Sequence, residues 1–230
     1  MNLFLCGGGS GKQIIYALKK FSSLLDKTKP ILYIPLAFLD DDYDSCYRWF
    51  SKEIKFMGLD SFEMVRSSKE LSQKDFNKYC ALFIGGGNTY KLLKELKENS
   101  NFEKIDNYLK NKGIVFGGSA GAIIFGKDIN SCYLDDKNIV NLEDCRGFNY
   151  LDDYSLLCQL NKTNFKKNNK YLFDYSKENK TIYLPENDVI IVTDRKIEFI
   201  GQSKYVLFNK GKYTYHNFAN IKKDIDIKNN

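Results

Sequence analysis

The run Gly113–Ala122, GIVFGGSAGA, places one serine in a turn crowded with glycine. Gly117, Gly118, Ser119, Ala120 and Gly121 fit the pattern G-x-S-x-G, with an apolar strand before it and a helix after it. In that setting a serine stands on a sharp turn, and its Oγ is lifted above the end of a sheet. The flanking glycines fit the same reading, because a Cβ beside such a residue would meet the neighbouring chain. The chemistry offered is acyl transfer, in which Ser119 Oγ attacks a carbonyl and the Ala120 N–H faces the oxyanion that develops. Such a serine needs a group to take its proton. The chain has a single histidine, His216, in a terminal run of alternating aromatics, YTYHNF, where a histidine is usually structural. Lysine serves as the base in some serine enzymes, but none of the many lysines here stands out.

Two other glycine turns compete for attention. GGGNT at 85–89 closes the strand CALFI, at the carboxyl end where open α/β sheets place their sites, and its N–H groups suit an oxyanion pocket. GGGSGK at 7–12 invites a phosphate-loop reading and fails it. The spacing G-x-x-x-x-G-K requires glycine where Cys6 stands and Ser or Thr where Gln13 stands, and Lys12 occupies the third glycine of G-x-G-x-x-G. It reads as a tight strand-to-helix turn.

The elements that must position these turns follow a βαβ rhythm. NLFLC, ILYIP, CALFI and IVF are short apolar strands. Between them, Ile14, Ala17, Leu18, Phe21, Leu24 and Leu25 form one helical stripe, and Cys46, Trp49, Phe50, Ile54 and Met57 form another. Asn88 is placed to cap the helix TYKLLKELKEN, and FEKIDNYLKNK stops at Gly113 as at a C′ glycine. The pattern predicts an α/β fold, a mostly parallel sheet flanked by helices on both faces. From about residue 180, TIYL, VIIVT, KIEFIG, YVLFN and KYTYHNF predict antiparallel hairpins at the C-terminal end, and 161–180 reads as helix plus loop. One domain over 1–220 and a polar tail at 221–230 complete the expected organisation.

Composition excludes several classes. No apolar run approaches the roughly 20 residues of a membrane span, and MNLFLCGGG lacks the basic start and apolar length of a signal peptide. The expectation is a cytoplasmic protein without a membrane partner. The six cysteines contain no C-x-x-C pair and read as reduced, mostly buried thiols, and a lone histidine argues against a zinc site. The net charge of +6 comes almost wholly from dispersed lysines that alternate with glutamates at helical spacing. That is a solvated face rather than a nucleic-acid stripe. No cofactor is expected.

Taken in order, IPLAFLDDDYDSCYRWFSKEIKFMGL, CALFIGGGNTYKLLKEL, GIVFGGSAGA and LPENDVIIV resemble the peptidase E (aspartyl dipeptidase) and cyanophycinase family of serine peptidases, to about residue 215. The resemblance implies a fold like the class I glutamine amidotransferases, with serine in place of their nucleophilic cysteine. It implies Ser119 as nucleophile, with Ala120 N–H and a glycine N–H of the 85–87 turn, Gly87, as oxyanion donors. For the acid it points to Asp136 in DDKNIV or to Glu186 in LPEN. The family's histidine follows a strand in an Asn-Pro-His-Phe type of context, and that position falls here on Asn161 or, shifted by one, Leu160. Neither accepts a proton near neutral pH. The family's dipeptidases also carry an arginine-containing segment suited to an acidic substrate, whereas 162–180 holds lysines and no arginine. Two functions follow as expectations: a dipeptidase-like hydrolase of small peptides with reduced or altered activity, or an inactive homologue that binds a peptide or amino-acid-like ligand. Either a monomer or a homodimer is compatible with the sequence.

Overall fold

Side-chain alternation within the strands decides the architecture. In β1 (Asn2–Cys6), Leu3 and Leu5 join one core cluster while Phe4 and Cys6 join the other, and all four are fully buried. A strand apolar on both faces needs cover on both, which a parallel sheet between helix layers provides. The computed structural model describes residues 1–39 and 42–217, and shows that arrangement. β2 (Ile31–Ile34), β3 (Phe62–Met64), β4 (Leu82–Ile84) and β5 (Ile114–Gly118) align parallel in the order β3-β2-β4-β5-β1. α1 (Ile15–Ser22) and α2 (Tyr43–Phe56) pack on one face, closing over Phe4, Tyr33, Phe83 and Phe116. α4 (Thr89–Lys97) and α5 (Asn101–Lys110) close the other, while α3 (Ser68–Gln73) leads into β4. Ring packing orders the first face: Tyr33 stacks on Phe50 at 4.1 Å, and Phe83 on Phe116 at 4.8 Å.

The C-terminal strands divide between two sheets. β8 (Val189–Thr193) adds antiparallel to β1 and β9 (Ile197–Ile200) to β8, which completes seven strands. β10 (Tyr205–Asn209) and β11 (Lys212–His216) form a second hairpin, which joins β7 (Thr181–Pro185) and β6 (Ser155–Leu160) in a separate four-stranded sheet. β6 and β7 run parallel because the polar stretch between them folds as α7 (Lys162–Tyr175), a crossover helix rather than a turn.

Two local expectations are answered by detail. Asn88 Oδ1 accepts the Lys91 N–H at 2.9 Å, as a cap should. The left-handed residue after α5 is Lys112 at φ 65°, not Gly113, where an added Cβ would run into the Tyr108 ring and the Tyr108 carbonyl. All six cysteines are free and five are buried. The polar tail expected at 221–230 lies outside the described residues, among which no helix is long and apolar enough to cross a membrane.

Candidate active site

Ser119 links β5 to the short helix α6 (Ala120–Ile123) at φ 53° and ψ −114°. A non-glycine residue held there is strained by about 1–3 kcal/mol, so the surroundings must hold it. They do so from three sides. The Ser119 N–H donates to Cys6 O at 3.0 Å, which pins the turn to the end of β1. Ser119 O accepts from Ala122 and Ile123, which starts the helix. Gly117 and Gly121 allow the backbones to touch: a Cβ at Gly117 would lie 2.1 Å from Gly121 O, and one at Gly121 would lie 2.2 Å from Ile84 O. Gly118 differs, since a Cβ there would meet nothing within 4 Å.

Beside this turn runs the loop after β4. Gly85 N–H is used by Ile34 O and Asn88 N–H by Ala37 O, but among the described residues the N–H groups of Gly86 and Gly87 have no acceptor. Ala120 N–H, first in its helix, has none either. A Cβ on Gly86 would stand 3.2 Å from Ser119 Cβ and 3.7 Å from its Oγ, so the loop passes directly along the serine. Free N–H groups of two segments therefore border one hydroxyl, the arrangement an oxyanion requires.

The hydroxyl faces a cavity of about 340 Å³ at the carboxyl ends of β1, β2, β4 and β5. Gly8, Gly9, Gly85–Gly87, Gly118 and Gln159 form its rim; Tyr33, Phe38, Phe83 and Phe116 form apolar wall. One stripe of α2, Cys46, Trp49 and Glu53, forms the remaining side. Glu53 is 4% exposed, and its Oε1 accepts the Gly11 N–H at 2.8 Å. The glycine turn that resembles a phosphate loop thus aims an N–H at a carboxylate of its own chain. Burial raises the Glu53 carboxyl above the ordinary range, partly offset by that hydrogen bond. Burial likewise pushes up the Cys46 thiol and the Tyr33 hydroxyl, so both are protonated at neutral pH. Cys46 is therefore no substitute for the serine as nucleophile.

The residues expected at the site separate in space. Ser119, Gly118 and Gly87 line the cavity, and Ala120 N–H adjoins it. Asp136 Oδ2 accepts the Thr89 N–H at 2.8 Å, while Lys137 O accepts from Asn88, so the Asp136 segment clamps the start of α4 just after the glycine loop. Glu186 is exposed, and its carbonyl rather than its carboxylate does the work, accepting Gly9 N–H at 2.7 Å. Asn161 is exposed and caps α7, accepting Asn164 N–H at 2.9 Å; Leu160 ends β6 opposite Pro185. Neither lines the cavity. His216 lies on β11, opposite Tyr205 and 2.6 Å from Thr214 Oγ1, and is not part of the wall.

Gln159 is the residue that β6 does deliver. The strand bulges between Leu157 and Leu160, Gln159 turns to φ 61°, and its N–H donates to Gly7 O at 3.1 Å. Its side chain comes to lie against Gly8, and Cys158 just before it sets Sγ 3.8 Å from Ser119 O. Two signals for the unexpected residues were present: a glutamine interrupts the apolar run SLLCQL, and Glu53 stands four residues after Trp49 within an apolar helical stripe.

Asp188 supports the same floor, accepting Gly7 N–H on its carbonyl. The residue is 2% exposed; Oδ1 accepts Gln202 N–H, and Oδ2 has no partner among the described residues. Burial raises it from 3.8 to about 6. The folded state therefore holds this proton more tightly than the unfolded chain does. Its contribution to stability is greatest below about pH 4 and is lost as pH rises through 6, by about 2–3 kcal/mol in all. Urea unfolding between pH 4 and 7 should show that decline and show it flattened in Asp188→Asn; equal slopes would refute the assignment.

A mostly parallel sheet between helix layers, with a strained serine on a strand-to-helix turn that lines a cavity bordered by free N–H groups, defines an α/β protein of the serine-peptidase class. The sequence profile of peptidase family S51 matches residues 3–200, and the chain belongs to that family. It is 26% identical over 220 residues to peptidase E of a Nostoc species, covering 90% of this chain and 88% of that one. A Listeria monocytogenes crystal structure of a candidate peptidase E shares 26% identity and superposes with a TM-score of 0.70 over 88% of this chain and 98% of its own. A peptidase from an acI-B1 actinobacterium, 17% identical, shares the fold with a TM-score of 0.72 over 94% of this chain and 93% of its own.

Proposed function

We propose that the chain is a serine peptidase of small peptides, acting through an acyl-enzyme on Ser119. In the first step the Oγ–acyl bond forms and the peptide C–N bond breaks, the amine leaving with a proton. In the second, water releases the acid and restores the hydroxyl. The Ala120 N–H and the N–H of Gly87 hold the oxyanion in both steps. The observation that supports this most is the serine backbone itself, strained at φ 53° with unpaired N–H groups beside it.

Activation is where the chain departs from its family. No histidine, lysine or arginine lines the cavity among the described residues. Loss of a triad member costs on the order of 10⁴–10⁶ in rate, so we place turnover far below that of a histidine-bearing relative. In this reading Asp136 and Glu186 hold loops rather than orient an imidazole. The absence of a base also favours a second reading, a protein that keeps the cavity to bind a peptide or amino-acid-like ligand. A serine-directed fluorophosphonate separates the two. Stoichiometric labelling that disappears in Ser119→Ala is the expected result; an unlabelled wild-type protein would leave only the binding role.

A further inference from the structure

We propose that the cavity beside Ser119 receives a cationic side chain, of lysine or arginine type, whose head pairs with Glu53. This deepens the peptidase reading by naming its substrate class, yet the binding it describes does not depend on turnover. Glu53 is 4% exposed and lines the cavity. Only Oε1 is engaged, by Gly11 N–H; Oε2 makes no hydrogen bond with a described residue and is not among the atoms sealed from solvent. Oε2 is thus left open to a cavity in which Glu53 is the one acidic side chain, and no Lys, Arg or His of the described residues lining that space pairs with it. A cationic ligand would supply that partner and hold the carboxyl in its ionised form.

The walls suit the rest of such a ligand. Tyr33, Phe83 and Phe116 give apolar wall for an aliphatic stem, and Trp49, 40% exposed, is the ring available for cation–π attraction of its head. The volume, about 340 Å³, falls at the small end of ligand sites, whose range is about 300–1,000 Å³. An aspartate or glutamate side chain would bring a second negative charge to Glu53 in a site of low dielectric. The same carboxylate thus selects for one class and against the other.

The chain has one tryptophan, Trp49, and it stands in this wall, so its fluorescence reports occupancy. In the full-length Ser119→Ala protein, which cannot turn over, Nα-acetyl-lysinamide should bind at least about tenfold more tightly than its neutral analogue Nα-acetyl-norleucinamide. Nα-acetyl-aspartamide should give no saturable change. Glu53→Gln, which keeps the oxygen that accepts Gly11 N–H, should bring the lysine compound to the norleucine level, with circular dichroism showing the variant folded. Equal binding of the lysine and norleucine compounds to Ser119→Ala would overturn the proposal without recourse to Glu53→Gln. So would tighter binding of the aspartate compound. Neither result touches fluorophosphonate labelling, so failure here is distinguishable from failure of the nucleophile.

Discussion

Gly121→Ala should unfold the region around Ser119, while Gly118→Ala, three residues away in the same turn, should leave stability nearly unchanged. At Gly121 an added Cβ would stand 2.2 Å from Ile84 O, 2.8 Å from Ile84 C and 3.0 Å from Gly85 O. Those atoms are backbone of β4 and its loop, and none can rotate aside. α6 must lift away from the sheet, and the lift drags Ser119 off its hydrogen bond to Cys6 O. Overpacking of a core usually costs about 1–3 kcal/mol, and a clash between two backbones belongs at or above the upper end. For a chain of this size that is a fall in Tm of roughly 6–12 °C. At Gly118 the added methyl meets nothing within 4 Å and enters the cavity instead. Differential scanning calorimetry of the two variants decides the matter. Similar melting temperatures would show that the close approach of α6 to β4 is not what fixes the turn.

The second large effect is a gain. Gln159→His should place an imidazole on the rim of the Ser119 cavity and raise the rate of fluorophosphonate labelling by two to four orders of magnitude, about the usual worth of a positioned general base. Histidine is among the side chains that tolerate a positive φ, so the bulge at φ 61° can accept it, and the backbone bond from residue 159 to Gly7 O is untouched. Asn161→His is the informative partner. It should lose the cap on Asn164 N–H, worth about 1 kcal/mol, and gain no rate, because position 161 faces solvent. A gain at 161 and none at 159 would mean that β6 approaches the serine in a different register.

The parts legible from sequence were those with a strong period or a special residue type. Strands β1, β2, β4 and β5 are short apolar runs ending in glycine or proline, and the helices between them repeat their apolar residues every three or four positions. Ser119 announced itself through its glycines. What stayed hidden depends on irregularity. β3 is three half-buried residues, too short to show a period. β6 reads as a plain apolar run until a bulge turns one side chain toward the neighbouring sheet, and no local rule locates the bulge. Trp49 looked like core because its spacing matches Cys46 and Phe50, yet it is 40% exposed and borders the cavity. Period identifies the face of a helix, not whether the space opposite is filled. The exchange of Gly113 for Lys112 as the left-handed residue has a similar cause, since glycine was needed next door for close packing with Tyr108.

The backbone of Ser119 also bears on the history of the chain. At φ 53° and ψ −114°, glycine would sit without strain, whereas serine costs the fold about 1–3 kcal/mol. Drift toward stability alone runs from serine to glycine at such a position. A lineage that had dispensed with the hydroxyl would have an easy route to a sturdier protein. The acyl-enzyme proposal accounts for a serine kept at that cost, because the hydroxyl is the group it uses.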